Sequence, residues 1–282
     1  MSDASPSSSS PFIAIVLAAD RETVSPVARA AGVRCKALAP VAGKPMLERV
    51  LAALAEAKEV ERCLVCGPSA DIVAREPDLQ QILGSGQVGW MEPMATPSLS
   101  VLEALKHLPA EVPVLLTTCD HALLRSEMVD YFCREVRARG CDAAVALVHH
   151  EEVLAQFPGT RRTAYTFSDG TYCSCNLFAL TTAQARQAPL FWRQVEQLRK
   201  QPLRMLQQLG WGTAVRYLLG RLSLEQALTR LAQGLNCTAA ALLLPYPEAT
   251  VDVDSADDWQ AVQSMAQQIA AASDRSGAVL PD

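Results

Sequence analysis

Acidic residues directly follow apolar segments at two distant points of this sequence. Asp120 comes after the apolar run Val112–Thr118, and Asp254 ends the segment Val251-Asp252-Val253-Asp254 near the far end of the chain. A carboxylate at the carboxyl end of a buried strand suits Mg²⁺, which prefers oxygen ligands. Residues two apart share a face in an extended segment, so Asp252 and Asp254 can both face such a site. The alternative is that Asp120 caps a loop or the following helix.

A second group of polar residues lies in the long loop after the first apolar run. The loop extends from Asp20 through Arg34-Cys35-Lys36 to Gly43-Lys44-Pro45. Doubly wound sheets bind ligands at the carboxyl ends of their strands, where a lysine can bind a phosphate. The loop is therefore a candidate phosphate site. The alternative is a long surface loop whose arginine and lysine are solvated.

Alternating strand and helix patterns would position these residues. Phe12–Ala19 is a continuous apolar run, typical of a strand buried on both faces. The elements predicted after it are a helix from Pro45, a strand at Arg62–Cys66, a helix at Ser98–His107, a strand at Val112–Thr118, a helix at Ser126–Arg139 and a strand at Asp142–His149. Residues 11–150 are therefore predicted to form a doubly wound, mostly parallel sheet in a three-layer α/β fold.

The second half of the chain differs in pattern. Thr163–Phe167 and Tyr172–Leu180 flank Ser168-Asp169-Gly170, which indicates an added β-ribbon, and helical segments dominate from Ala183 to Gln233. The closing elements are a strand at Cys237–Leu244, an edge segment at Val251–Asp254 and a helix at Ser255–Ala271 with Ser255 as its N-cap. We predict a single domain over 11–272, divided at 150 and 236, with tails at 1–10 and 273–282.

Composition limits the class of protein. Of the 282 residues, 50% are hydrophobic and 20% are charged, which supports a sizeable core and excludes a disordered chain. The formal net charge of −5 argues against a protein that binds nucleic acid over its whole surface. The 9 cysteines are scattered through apolar segments, which favours a reduced, cytoplasmic protein. No signal peptide or membrane-spanning segment is predicted.

Three segments occur in order along the chain: LAADR…RCKALAPVAGKPMLERVLAAL, Thr117–Leu124 and Val251–Asp258. Together they resemble the MobA-like nucleotidyltransferase superfamily, which has a GT-A-type, Rossmann-like fold. The first is similar to the family's opening strand, glycine-rich loop, Lys-x-Leu step and Gly-Lys-Pro segment. The second is similar to a strand that ends in a metal-binding aspartate, and the third to a late Val-Asp-Val-Asp-Ser segment. The resemblance covers about 11–150 and 237–272 and is loose over 151–236.

The resemblance implies an enzyme that transfers a nucleoside monophosphate group from an NTP, with CTP or GTP expected, to a phosphorylated small molecule and releases diphosphate. It implies catalytic roles for Lys36 and Asp120, and a Mg²⁺ ion bound by Asp120 and Asp254, with Asp252 as a structural partner. The residues expected at the nucleotide are Leu17, Ala18, Ala19, Arg21, Arg34, Lys36 and Ser100. Those expected at the acceptor are Asn176 and Lys200. Ser100 could instead belong to a helix N-cap.

The chain departs from the family at the glycine-rich loop. Asp20 and Glu22 stand where the family has glycines, and the expected arginine is displaced, to Arg21, Arg29 or Arg34. Anionic side chains there repel a triphosphate. Either the longer loop forms a different phosphate site, or the protein is an altered or inactive enzyme.

Two other functions remain open from the sequence. A metal-dependent glycosyltransferase would use Val-Asp-Val-Asp as an Asp-x-Asp metal motif, although the loop that carries Lys36 would then have no role. A non-catalytic nucleotide-binding protein would account for Asp20 and Glu22. The product formed separates these functions from nucleotidyl transfer.

The positive charge of the chain is concentrated between residues 193 and 221. The six basic residues there, interleaved with apolar ones and opposed by Glu196 alone, are Arg193, Arg199, Lys200, Arg204, Arg216 and Arg221. This pattern predicts an amphipathic surface for an acidic acceptor or for peripheral contact with anionic lipid. The alternative is a solvated helix face over a stripe of core residues.

Overall fold

The computed structural model describes residues 10–20, 25–86, 88–158, 162–198 and 211–277. Its strands are β1 (Phe12–Leu17), β2 (Pro40–Val41), β3 (Lys44–Pro45), β4 (Val60–Cys66), β5 (Val88–Met91), β6 (Val114–Thr118), β7 (Ala143–His149), β8 (Ala164–Phe167), β9 (Gly170–Leu180) and β10 (Ala239–Leu243). Each long apolar run predicted to be a strand is one.

The α-helices of the described residues are α1 (Pro26–Ala31), α2 (Met46–Glu56), α3 (Ala70–Arg75), α4 (Pro77–Leu83), α5 (Pro97–Lys106), α6 (Ser126–Arg139), α7 (His150–Gln156), α8 (Ala188–Leu198), α9 (Trp211–Leu218), α10 (Leu224–Gln233) and α11 (Ala256–Gly277). Short 3₁₀ turns lie at Lys36–Leu38, Ala185–Gln187 and Pro247–Thr250. None of the described helices is both long and apolar enough to cross a bilayer.

The first strand shows why helices cover both faces of the sheet. Successive side chains of a strand point to opposite faces. Phe12, Ala14 and Val16 of β1 therefore pack in one core cluster, with buried residues of α2 and α6. Ile15 packs in another cluster, with residues of α5 and α8. The resulting three layers are those of the predicted α/β fold, which the structure confirms.

The main sheet of the described residues has eight strands. Seven of them follow the order β10-β7-β9-β6-β1-β4-β5, and β8 pairs with β9. The pairs β1·β4, β1·β6, β4·β5 and β7·β10 are parallel. The long strand β9 is antiparallel to both β6 and β7, so the second strand of the predicted hairpin lies inside the main sheet. The sheet is mostly parallel, as predicted.

The carboxyl ends of the central strands meet at one edge of the sheet. Leu17, the last residue of β1, is opposite Cys66 of β4 and Thr118 of β6. The next residues continue this alignment, since Cys119 N–H donates to the Leu17 carbonyl at 2.9 Å and Ala18 N–H to the Cys66 carbonyl at 2.9 Å. Asp120 and the loop that begins at Ala18 therefore lie side by side.

Two expectations for the end of the chain were wrong. Val251–Asp254 is not an edge strand; instead, Val251 and Val253 are buried and the Val253 N–H donates to the Asp120 carbonyl at 3.2 Å. This contact directs the segment toward Asp120. Helix α11 continues to Gly277, so residues 273–277, predicted to be tail, are helical. Ser255 caps α11 as predicted, because its hydroxyl accepts from the Asp258 N–H at 3.1 Å.

Candidate functional site

The side chain of Lys36 joins two carboxylates that are distant in sequence. Its Nζ lies 2.6 Å from Oδ2 of Asp120 and 2.9 Å from Oδ1 of Asp254. Lys36 and Asp120 are largely shielded from solvent, whereas the Asp254 side chain is 69% exposed. The structure thus brings together, at the carboxyl edge of the sheet, the three residues that were expected to be catalytic or metal-binding; we call this group the Lys36 centre.

Asp20 fixes the backbone of Lys36. The Lys36 N–H donates to the two carboxylate oxygens of Asp20, at 3.1 and 3.3 Å. This contact secures the 3₁₀ turn Lys36–Leu38 to the residues that follow β1. Burial raises the pKa of Asp20, although the hydrogen bond from Lys36 acts in the other direction. The acidic residue at the family's glycine position is thus engaged with the protein's own backbone.

Two contacts hold Asp120 in place. The Thr118 hydroxyl donates to Oδ1 of Asp120, which leaves Oδ2 for Lys36. The Asp120 carbonyl accepts from Val253 N–H, so the segment that carries Asp254 is attached to the same turn. The side chain of Asp120 therefore has a defined direction, toward the Lys36 ammonium.

The electrostatics of this centre keep Lys36 charged. Burial of the ammonium lowers its pKa, but the negative charges of Asp120 and Asp254 outweigh burial and raise the pKa above that of an ordinary lysine. Lys36 is therefore a cation throughout the physiological pH range. Such a group can offset negative charge on a phosphate.

Small cavities lie on the β1 and β4 side of this centre. One of about 130 Å³ is lined by Leu17, Ala19, Asp20, Cys66, Met94, Ala95, Thr96, Pro97 and Ser100. A neighbouring one shares Ala19 and Asp20 and adds Arg34, Pro68, Ser69, Ile72 and Pro93. Because Asp20 contacts the Lys36 backbone, these cavities adjoin the loop that carries the lysine. This side fits the residues expected at the nucleotide.

Several of those expected residues have structural contacts. Ala18 is buried, and its N–H donates to the Cys66 carbonyl at the carboxyl edge of the sheet. Ser100 is buried within α5 and its hydroxyl accepts from Met94 N–H at 2.9 Å, while Thr96 forms the N-cap of that helix. Ser100 therefore shapes the loop at Met94. The Arg34 side chain is 61% exposed and its Nε lies 2.5 Å from Oε1 of Glu76.

A larger polar pocket of about 310 Å³ lies on the other side of the Lys36 centre. It is lined by Arg162, Thr163, Tyr165, Cys173, Ser174, Asn176, Thr250, Asp252, Asp254 and Asp258. We call it the Arg162 pocket. Because Asp254 contacts Lys36 and also lines this pocket, the pocket adjoins the Lys36 centre. Of the two residues expected at the acceptor, Asn176 lines it.

A break in strand register directs Asn176 into this pocket. The pairing of β7 with β9 shifts between Val145 and Leu147, and Asn176 has a left-handed backbone with φ of 50°. Bulges of this kind redirect side chains. The Asn176 amide donates to Oδ2 of Asp252 at 3.1 Å, which aims the side chain at the acidic segment.

Arg162 is a site residue that the sequence did not reveal. Its guanidinium binds Oδ1 of Asp252, donates to the Asp252 carbonyl at 2.9 Å and lies 3.6 Å from Oδ1 of Asp258. Burial and the charges of Asp120 and Asp254 raise the pKa of Asp252, while Arg162 counteracts them. Asp252 therefore has its partners within the Arg162 pocket, whereas Asp254 lines that pocket and also contacts Lys36.

The donor set of the Lys36 centre fits a magnesium ion that also binds phosphate. No cluster of three or more His, Cys, Asp or Glu side chains suited to a metal occurs in the described part of the chain. Asp120 and Asp254, however, converge on one point, which the Lys36 ammonium marks. Mg²⁺ is commonly bound by one or two carboxylates and by the phosphates of its substrate. The residues therefore fit such an ion.

Some expected residues lie outside the described part of the chain. These are Arg21 and Glu22 in the first loop, and Arg199, Lys200 and Arg204 in the basic region. The acceptor role of Lys200 and the lipid contact of 193–221 stay predictions. The cysteines of the described residues are free, and all but Cys237 are buried, where burial raises the pKa of the thiols.

Comparison with known proteins decides the family. The MobA-like NTP transferase domain family matches residues 14–238. The chain belongs to this family. The structure of a hypothetical transferase from Thermus thermophilus is 33% identical with a TM-score of 0.70, over 88% of this chain and 99% of that one. No curated protein sequence matches the chain.

Two solved structures of lower sequence identity share the fold. A 4-diphosphocytidyl-2C-methyl-D-erythritol synthase from Anaerococcus prevotii is 13% identical with a TM-score of 0.54, over 92% of this chain and 96% of that one. A CMP:2-keto-3-deoxy-manno-octonic acid synthetase complexed with CTP is 12% identical with a TM-score of 0.54, over 93% and 99%. These two share the fold. The match to the family ends at 238, yet Asp254 completes the Lys36 centre.

Proposed function

We propose that this MobA-like protein transfers a nucleoside monophosphate group from an NTP to a phosphorylated small-molecule acceptor and releases diphosphate. The observation that carries the proposal is the Lys36 ammonium between Asp120 and Asp254, with small cavities on one side and the Arg162 pocket on the other. A cation between two binding sites suits a reaction in which a nucleoside monophosphate group passes from one substrate to the other.

In this reaction an oxygen of the acceptor phosphate attacks the α-phosphorus of the NTP in line. A new phosphorus–oxygen bond forms, the bond from the α-phosphorus to the bridging oxygen breaks, and diphosphate leaves with that electron pair. The acceptor phosphate is already ionised, so no general base is needed. Lys36 offsets the charge that builds on the α-phosphate and the leaving group, and Asp20 holds its backbone in place.

Asp120 and Asp254 would hold a Mg²⁺ ion, which when bound neutralises charge on the nucleotide phosphates. Thr118 orients Asp120 for this role, and Val253 joins the two carboxylate-bearing segments. The protein otherwise positions the two substrates, and no Ser or Cys nucleophile takes part.

The charges of the Arg162 pocket limit the part of the acceptor that it binds. Its three carboxylates, Asp252, Asp254 and Asp258, outnumber the single guanidinium of Arg162, which already contacts two of them. A second anionic group of the acceptor would be repelled there. We therefore expect an uncharged acceptor body with hydroxyl or N–H donors in this pocket and its phosphate at Lys36.

The alternative functions receive less support from the geometry. In a glycosyltransferase that used both aspartates of Asp-x-Asp at one ion, the two carboxylates would converge, but Asp252 binds Arg162 and Asn176 while Asp254 contacts Lys36. A purely nucleotide-binding role rested on Asp20 and Glu22, but Asp20 has a structural role of its own, since its carboxylate accepts from the Lys36 N–H and holds the backbone of that lysine. The nucleotidyl transfer proposal gives each of these residues a place.

A product assay tests the proposal. The protein is incubated with Mg²⁺ and each of CTP, GTP, ATP and UTP, together with a panel of polyol and sugar phosphates, and diphosphate is measured. CTP comes first, because the CMP:2-keto-3-deoxy-manno-octonic acid synthetase of similar fold was solved in complex with CTP. Acceptor-dependent diphosphate release that Asp120→Asn abolishes supports the proposal. Release of nucleoside diphosphate from a nucleotide sugar, or binding without any product, contradicts it.

A further inference from the structure

The Lys36 ammonium stands at the point where a bound metal would contact both carboxylates. One nitrogen is 2.6 Å from Asp120 and 2.9 Å from Asp254. A Mg²⁺ ion binds carboxylate oxygens at roughly 2.0–2.1 Å. A metal ion bound to both carboxylates would therefore be in contact with the Lys36 ammonium, and the two positive charges would repel each other. Lys36 and the metal therefore cannot share this position.

We propose that Lys36 is a built-in counter-ion, which occupies the metal position in the free protein and leaves it when the nucleotide phosphates bind. This inference rests on the proposed function, because the phosphates are the new partner of the lysine. The consequence concerns the order of binding. The free protein binds divalent metal weakly, and the metal binds together with the nucleotide.

The surroundings of Lys36 permit its side chain to move without its backbone. Asp20 accepts a hydrogen bond from the Lys36 N–H. The other two residues of the 3₁₀ turn, Ala37 and Leu38, are buried, so the backbone of the turn is held in place. The four-carbon stem of a lysine, in contrast, has several rotatable bonds. The ammonium can thus turn from the carboxylates toward a phosphate while the loop keeps its place.

The other acidic groups nearby do not offer Lys36 a different resting partner. Asp252 is bound by Arg162 and Asn176, and Asp20 accepts from the backbone rather than from the ammonium. Asp120 is shielded from solvent, so its charge needs a partner in the free protein. Lys36 supplies that partner until a metal ion can replace it.

Direct binding of Mn²⁺, followed by electron paramagnetic resonance without nucleotide, tests the inference. Lys36→Met removes the ammonium and keeps a side chain of similar length. We expect it to bind Mn²⁺ at least tenfold more tightly than the wild type, and Lys36→Met combined with Asp254→Asn to lose this gain. Lys106→Met is the matched control, since Lys106 is an exposed lysine at the end of α5 whose Nζ lies 2.7 Å from a carboxylate oxygen of Glu103. It should bind Mn²⁺ like the wild type.

Unchanged or weaker Mn²⁺ binding by Lys36→Met overturns the inference. Lys36→Gln, which is polar but uncharged, replaces it in the same assay where Lys36→Met does not fold. The outcome is separable from that of the proposed function. If Lys36→Met shows no gain in Mn²⁺ affinity while the wild type releases diphosphate from an NTP, only the inference fails. If Lys36→Met gains Mn²⁺ affinity but the wild type binds no NTP, the proposed nucleotidyl transfer fails, and so does the displacement of Lys36 by nucleotide phosphate.

Discussion

Nζ of Lys36 lies 2.6 Å from Oδ2 of Asp120, although 84 positions separate the two residues along the chain. The contact follows from the sheet, because β1 and β6 are parallel neighbours whose carboxyl ends are level. The loops after the two strands therefore meet. Asp254 reaches the same lysine from 218 positions away, through the contact between Val253 and the Asp120 carbonyl.

Asp20→Asn is expected to strengthen nucleotide binding. The asparagine oxygen can still accept from the Lys36 N–H, while one negative charge is removed from the wall of the two small cavities near Ala19, which we propose take the nucleotide and call the nucleotide-side cavities. A charge interaction of about 1 kcal/mol corresponds to about a fivefold gain in NTP affinity. Isothermal titration with NTP and Mg²⁺ measures it. Asp71→Asn, on the exposed face of α3, is the control and should change nothing; weaker binding by Asp20→Asn would contradict the assigned role.

Gly67→Ala is expected to reduce both stability and nucleotide affinity. Gly67 has φ of +92°, and a Cβ there would lie 2.9 Å from the backbone nitrogen of Ala19, which lines both nucleotide-side cavities. Gly32→Ala isolates the backbone effect, since Gly32 has φ of +69° and open space around it. Gly32→Ala should cost about 1 kcal/mol and leave nucleotide binding intact. Urea unfolding and titration compare the two; equal effects on NTP affinity would refute a close approach at Ala19.

Asn176→Ala is expected to raise the KM for the acceptor about tenfold or more, with the nucleotide Kd unchanged. The substitution removes the amide that donates to Asp252, so the carboxylate is less well fixed in the Arg162 pocket. A lost hydrogen bond to a charged group costs about 1.5 kcal/mol or more. Steady-state kinetics with each substrate varied in turn separates the two effects. If only nucleotide binding changed, Asn176 would act on the nucleotide and not on the acceptor, which would contradict the prediction.

His121 is expected to make the free protein sensitive to acid. Burial lowers the pKa of His121 to about 4, so the folded state holds it neutral while the unfolded chain takes up a proton near pH 6.5. Stability from this group is complete above pH 6.5 and is lost as the pH falls toward 4, by about 3 kcal/mol in total. Unfolding by urea at pH 4.5 and 7, without divalent metal, measures the loss.

His121→Phe should show a smaller loss of stability between pH 7 and 4.5 than the wild type, because the variant has no buried imidazole to protonate. His107→Phe is the control, since the His107 side chain is exposed. If His121→Phe loses as much stability between pH 7 and 4.5 as the wild type does, other groups cause the acid sensitivity.

Much of the framework of the site could be predicted from local patterns. Asp120 was predicted at the sheet edge because it follows an apolar run, and Lys36 because its loop follows the first strand. The match to the MobA-like family confirmed the resemblance on which the catalytic expectations rested. Local pattern was sufficient there because parallel strands bring their carboxyl ends to a common edge.

Other features depend on contacts that no local pattern encodes. Arg162 lies in a loop 90 positions from Asp252, and no spacing links them. Asp252 and Asp254 were expected to share a face, but the segment is not a strand and the two carboxylates have different partners. Likewise, the hairpin pattern predicted the pairing of β8 with β9 but not the insertion of β9 between β6 and β7. From the sequence, Asp20 suggested only repulsion of phosphate, whereas in the structure its carboxylate also fixes the backbone of Lys36.

The most direct test of the account is the binding of CTP, GTP, ATP and UTP, with and without Mg²⁺, to the wild type and to Asp120→Asn by isothermal titration. Lys36 and Asp120 form the centre, so we expect one nucleotide to bind the wild type in a Mg²⁺-dependent manner and at least tenfold more weakly to Asp120→Asn. If no nucleotide binds at millimolar concentration, or if both proteins bind it equally with and without Mg²⁺, the Lys36 centre is not a nucleotidyl transfer site.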